Sequence, residues 1–134
     1  MSEILKTIKN ELPNGVISEA IFEGANIVIY TTDKDFFKNS DEKIREIVGK
    51  IKKRIELRAD TSILAPQDET EKTIRALVPV EAELETIIFD VQRSTVIIES
   101  KKPGLVIGKQ GSILRDIRNS TMWTPTTQRS PAIH

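Results

Sequence analysis

Lys101-Lys102-Pro103-Gly104-Leu105-Val106-Ile107-Gly108-Lys109-Gln110-Gly111-Ser112-Ile113-Leu114-Arg115-Asp116-Ile117 is the stretch on which the fold turns. Pro103 can open a helical turn, because its missing amide hydrogen would be unpaired there in any case. Leu105, Val106 and Ile107 make that turn apolar, and Gly108 and Gly111 bracket Lys109 and Gln110. A second, amphipathic helix is expected from Ser112 through Ile113, Leu114 and Ile117. Glycines at 108 and 111 let the backbone come close to a ligand where a Cβ would collide. The amides at the start of the following helix favour a phosphate, and Lys109 adds a positive charge.

Working outward, this stretch lies in the second copy of a repeat. Lys6-Thr7-Ile8-Lys9-Asn10-Glu11-Leu12-Pro13 is echoed by Lys72-Thr73-Ile74-Arg75-Ala76-Leu77-Val78-Pro79. Ala20-Ile21-Phe22-Glu23 is echoed by Ile87-Ile88-Phe89-Asp90, and Asn26-Ile27-Val28-Ile29-Tyr30-Thr31 by Ser94-Thr95-Val96-Ile97-Ile98-Glu99. Two units are expected, residues 1–66 and 67–134, with the junction in the Pro-containing polar stretch Ala65-Pro66-Gln67-Asp68-Glu69.

Each unit has the same grammar. Ile4, Leu5, Ile8 and Leu12 predict a helix capped by Ser2 and stopped before Pro13; in the second copy Glu69 or Thr70 precedes Ile74, Leu77 and Val78. Two runs rich in Ile, Val and Thr predict adjacent strands joined by Gly24-Ala25-Asn26 or Gln92-Arg93-Ser94. Ile44, Ile47, Val48, Ile51 and Ile55 predict a long helix over 41–58 opposite Lys43, Lys50, Lys52, Lys53 and Arg54; with Glu46 and Glu56 among them, these cations read as a solvated face. Thr61-Ser62-Ile63-Leu64 and Met122-Trp123-Thr124-Pro125-Thr126 are expected as closing strands, and Trp123 as core rather than a base-stacking platform. The fold class is α+β, each unit a three-stranded sheet with helices packed on one face. Between the second strand and the long helix the two copies are expected to diverge.

Composition narrows the chemistry. The 134 residues hold 20 Lys+Arg and 20 Asp+Glu, no Cys and a single His, His134, at the end. Disulfide frameworks, thiolate metal sites, histidine triads, histidine-rich zinc sites and most histidine acid/base chemistry are excluded. Six cations and one acid, Asp116, fall in residues 101–134, which points to an anionic partner met by one face. No apolar run has the length of a membrane span and the start lacks a secretory pattern, so a cytoplasmic location is expected.

Val106 to Ile117 resembles the Gly-x-x-Gly core of the KH domain, a module that clamps about four nucleotides of single-stranded RNA or DNA. A helix and strand ahead of the strand-helix-loop-helix-strand core resemble the prokaryotic, type II arrangement, so the resemblance implies two tandem type II KH domains. The pair, with its ending Trp123-Thr124-Pro125, further resembles the N-terminal region of archaeal cleavage and polyadenylation specificity factor-like ribonucleases, in which two KH modules precede a metallo-β-lactamase and β-CASP nuclease. That likeness implies single-stranded RNA as partner, uridine-rich in particular, and a role in RNA 3′-end maturation and transcription termination. The candidate RNA-binding residues are Lys101, Lys102, Val106, Ile107, Gly108, Lys109, Gln110, Gly111, Ser112, Ile113 and Arg115. Val106, Ile107 and Ile113 are expected to wall a groove for the bases.

Aligned with the loop, the first copy offers Asn39-Ser40-Asp41-Glu42-Lys43, without glycine and with two carboxylates that would repel phosphate. Residues 1–66 are therefore expected to be a degenerate KH domain. No catalytic residue, metal site or cofactor is expected, since the nuclease part of the family is missing; the ending Ser130-Pro131-Ala132-Ile133-His134 reads as that of a fragment or truncated product. A nucleotide P-loop is ruled against by one residue too few between Gly104 and Gly108-Lys109, and by Gln110 in place of Ser or Thr. Asp33, Asp35, Asp41 and Glu42 lack calcium-loop spacing and read as a solvated turn and helix start. The competing functional class is a protein-interaction module that docks against a nuclease domain or a partner subunit.

Overall fold

Leu5 and Ile8 recur three residues apart on α1 (Glu3–Glu11) and are buried together, with Leu12 just beyond. The computed structural model of the chain describes residues 3–131, so the cap expected at Ser2, and His134, lie outside the described residues. Two compact units are found, Met1–Ile63 and Leu64–His134.

In the first unit α1 is followed by β1 (Ile17–Glu23), β2 (Asn26–Thr31), α2 (Lys34–Asn39), α3 (Asp41–Ile51) and β3 (Ile55–Ala59). β1 pairs antiparallel with β2, and β2 parallel with β3. Ile27 and Ile29 of β2, Phe37 of α2 and Ile47 of α3 are fully buried at the centre.

The long helix expected over 41–58 is shorter. It stops at Ile51, where Lys52 turns into the left-handed region (φ 58°) and its amide donates to the Val48 carbonyl at 2.9 Å. No glycine announces this cap, and Ile55 belongs to β3 rather than to the helical stripe. The closing strand is therefore Ile55–Ala59, not Thr61-Ser62-Ile63-Leu64. Those residues begin a 3₁₀ turn, Thr61–Ile63, closed by the Ser62 amide donating to Asp60 Oδ1 at 3.0 Å. That bond, helped by one from the Ser18 hydroxyl, holds the Asp60 carboxyl below its ordinary pKa.

The second unit repeats the plan with α4 (Gln67–Leu77), β4 (Leu84–Asp90), β5 (Thr95–Ser100), α5 (Pro103–Ile107), α6 (Ser112–Thr121) and β6 (Thr124–Arg129). β4 is antiparallel and β6 parallel to the central β5. The first strand slips register at the same place in both units, between Ile17 and Glu19 and between Leu84 and Thr86. Ile74, Val78, Ala82, Val96, Ile98, Val106, Ile117 and Trp123 form the core.

Trp123 is 2% exposed; its indole N–H donates to the Ala65 carbonyl at 2.8 Å and its ring meets Phe89 edge-on at 4.9 Å. It is core, as expected. Ala65 and Leu64 thereby belong to the second unit, and the division falls three residues before the junction placed at 66/67. Met122 ends α6 in the left-handed region (φ 68°), so the closing strand begins at Thr124.

Both units have the α+β, type II KH arrangement. The expected divergence between second strand and long helix is narrower than it looked, because α2 stands where α5 does. Asp33 caps α2 by accepting from the Phe36 amide at 3.0 Å, and Asp41 and Glu42 occupy the first turn of α3.

Candidate nucleic-acid interface

Between α5 and α6 the chain makes a four-residue loop, Gly108 to Gly111, in which three residues have positive φ: Gly108 (79°), Gln110 (56°) and Gly111 (75°). The two glycines are needed for different reasons. A Cβ on Gly108 would lie 2.7 Å from Ile113 Cγ1 and 2.9 Å from the Ile113 backbone nitrogen, so this position admits no side chain. A Cβ on Gly111 would meet nothing within 4 Å; there glycine is favoured by the left-handed backbone alone.

The loop is tied internally. The Gly111 amide donates to the Gly108 carbonyl at 3.2 Å, and Arg115 Nη2 donates to the Gln110 carbonyl at 2.8 Å. No backbone carbonyl among the described residues accepts from the amides of Lys109 or Gln110. Those two donors, the N-terminal amides of α6 and the exposed Lys109 ammonium are a set suited to phosphate oxygens.

The sequence-derived residues fall into four groups. Gly108, Lys109, Gln110, Gly111 and Ser112 form the loop and the start of α6, and Arg115 braces it one turn on. Ile107 is 37% exposed beside the loop and Ile113 is half-buried under it. Val106 does not wall a groove: it is fully buried and anchors α5 to the core.

Lys101 and Lys102 lie at the far end of α5, about 7.5 Å of helix from the loop. Their ammonium groups lie 3.7 Å from Glu85 and 3.7 Å from Glu83 respectively, so their charge is partly answered. Leu105, 42% exposed on α5, was missed as a candidate; an apolar residue beside a glycine loop was the signal.

In the first unit a single residue, Ser40, separates α2 from α3, where the second has four residues between α5 and α6. Ser40 is 3% exposed. The first unit therefore presents no loop at all at this place, a stronger difference than the substitution of carboxylates for glycines.

Among the described residues no group of three His, Asp or Glu is placed to hold a metal ion, and no helix is long and apolar enough to cross a membrane.

Residues 1–64 match the family model described as the KH domain of transcription termination factor FttA. The chain is 42% identical to transcription termination factor FttA of Methanococcus maripaludis, over 99% of this chain and 21% of that protein. Identity is 41% to the FttA of Methanothermobacter thermautotrophicus and 40% to that of Pyrococcus abyssi, again over 99% of this chain and 21% of each relative. The chain thus spans about a fifth of the length of these curated relatives. The chain is thus similar in sequence to part of the archaeal transcription termination factors FttA, and the sheet order that both units share is that of two tandem KH domains.

Proposed function

We propose that the chain is a single-stranded RNA-binding module in which residues 64–134 grip the strand and residues 1–63 are a KH domain that lacks the grip. The observation that carries this reading is the Gly108–Gly111 loop, with its two unclaimed amides, its exposed lysine and a first glycine that cannot accept a side chain. Phosphates lie against Lys109, Gln110 and the start of α6, and bases lie against Leu105, Ile107 and Ile113. The relatives' name, transcription termination factor, supports placing this grip in transcription termination. The resemblance to archaeal cleavage and polyadenylation specificity factor-like ribonucleases supports a task of directing a β-CASP nuclease to uridine-rich transcript ends in the cytoplasm.

On this reading the chain binds RNA without cutting it. Hydrolysis needs a metal pair or positioned acid and base groups, and the loop offers amides and cations. The test is a fluorescence-anisotropy titration with short uridine and adenosine oligonucleotides. Incubation of labelled RNA with purified chain and Mg²⁺, Mn²⁺ or Zn²⁺ runs beside it. Saturable binding with intact RNA is expected. No binding, or metal-dependent cleavage that follows the protein through purification, overturns the reading.

A further inference from the structure

The two units differ at a second place, directly after their long helices. In the second unit α6 closes on Met122 in the left-handed region, and the next residue, Trp123, turns in against Phe89. In the first unit α3 closes on Lys52 in the same conformation, and the next residue is Lys53, exposed to solvent. Phe22 pairs with Ile27 across β1 and β2 as Phe89 pairs with Val96 across β4 and β5, so Phe22 stands in Phe89's place. With lysine where the indole would be, the Phe22 ring is 46% exposed.

The run that follows α3 is cationic. Lys52, Lys53 and Arg54 are consecutive and exposed, and the Arg54 carbonyl accepts from the Ile27 amide at 2.9 Å, which pins this run beside the Phe22–Ile27–Ile55 row. Lys43 and Lys50 on α3 pair with Glu46 and Glu11, but no ion pair engages Lys52, Lys53 or Arg54 among the described residues. The nearest acids in sequence, Glu23 and Glu56, alternate onto the opposite sheet face. There the buried Arg58 binds both, Glu23 through two bonds of 2.8 and 3.1 Å. Burial opposes the Arg58 charge, yet its bonds to Glu23, Tyr30 and Glu56 outweigh that and keep its pKa above the ordinary value. The turn Gly24-Ala25-Asn26 carries no charge.

We infer that this end of the first unit is a second contact for single-stranded RNA, with a base stacked on Phe22 and phosphates on Lys52, Lys53 and Arg54. A lone aromatic ring beside unneutralised cations is what single-strand platforms are made of, whereas the cores of protein interfaces are depleted of lysine. The inference rests on the RNA reading of the loop and extends it: the first unit touches RNA without a phosphate loop, and only when the strand outruns the nucleotides that the loop holds.

The test uses the full chain and two uridine oligomers, of about four and about 20 nucleotides. Phe22→Ala and Phe22→Leu are expected to weaken the long RNA about fivefold or more, and Phe22→Tyr to retain affinity. Replacing Lys52, Lys53 and Arg54 together by Gln should lower the logarithmic salt slope for the long RNA by about 2. The short RNA should bind all variants alike. Long-RNA binding that is indifferent to these substitutions overturns the inference, assigns the ring to a protein contact and leaves the loop reading standing. Failure of both oligomers to bind removes the two together.

Discussion

The two units share a strand order, a register slip in the first strand, a short helix ahead of a long one, and a left-handed cap after it. They differ where a ligand would be met. At the helix–helix junction one has Ser40 and the other Gly108 to Gly111; after the long helix one has Lys53 and the other Trp123. The scaffold does not depend on the helix–helix junction, because Phe37 and Val106 are both fully buried on the short helix whichever junction follows it. A KH fold can therefore lack the loop and keep its core, and the match of the first 64 residues to a KH family model falls on the unit without it.

The largest expected effect tests the Trp123–Lys53 exchange. Trp123→Ala removes a ring that is 2% exposed and hydrogen-bonded, and should cost the second unit about 3–5 kcal/mol. Lys53→Ala, on an exposed position, should stay within about 0.5 kcal/mol. Urea unfolding followed by far-ultraviolet circular dichroism reads both. Equal effects would mean that the positional equivalence is mistaken.

Much of this was legible in the sequence because the repeat and the period-two strands carry the sheet. Asn26–Thr31 forms the strand its Ile and Val content predicts, and Pro103 and Ser112 begin the helices they announce. The misplaced helix end and closing strands have one physical source, left-handed caps without glycine. Lys52 and Met122 both adopt positive φ, a conformation that nothing in a lysine or a methionine advertises, and Ile-Glu-Leu-Arg-Ala after Lys52 continues a helical pattern into a strand. Helix α2 was hidden among aspartates read as a turn; carrying the repeat on from β2 and β5 would have set Lys34–Asn39 against Pro103–Ile107. The loop's glycines were visible. That Gly108 is fixed by contact with Ile113 and Gly111 by conformation was not.

That distinction shapes the next prediction. Aspartate at 108 would collide with the Ile113 backbone, so a failure there would confuse folding with binding. Lys109→Asp with Gln110→Asp is cleaner: both side chains are exposed, and aspartate tolerates the left-handed backbone of Gln110 better than most residues. Affinity for short RNA should fall about 100-fold with the circular dichroism spectrum unchanged. Residues 64–134 alone should keep most of the short-RNA affinity, and residues 1–63 alone little. Comparable binding by the two halves would erase the asymmetry on which the comparison stands.

The salt dependence sharpens it further. One module holding about four phosphates gives a logarithmic slope no steeper than roughly −3 for short single strands. Lys109→Gln should make it shallower by about 0.7, while Lys43→Gln in the first unit, already paired with Glu46 at 3.8 Å, should not move it. An unaltered slope in Lys109→Gln would place the phosphates elsewhere.

The smallest effect concerns what holds the loop rather than what touches RNA. Arg115 spends one N–H on the Gln110 carbonyl, and that bond secures a non-glycine residue in the left-handed region, which turns the neighbouring amides outward. Ser40 has no counterpart to this brace because there is no loop to hold. Arg115→Ala should release the loop and weaken short RNA about fivefold, roughly the net loss of one exposed hydrogen bond. Arg115→Lys keeps the charge but gives up the planar fork that reaches the carbonyl. If Arg115 acts by positioning, Lys should behave nearly like Ala, and faster hydrogen exchange at Gly111 should accompany the lost affinity in both. If Arg115 acts only as a charge near phosphate, Lys should restore binding and the Gly111 amide should stay protected.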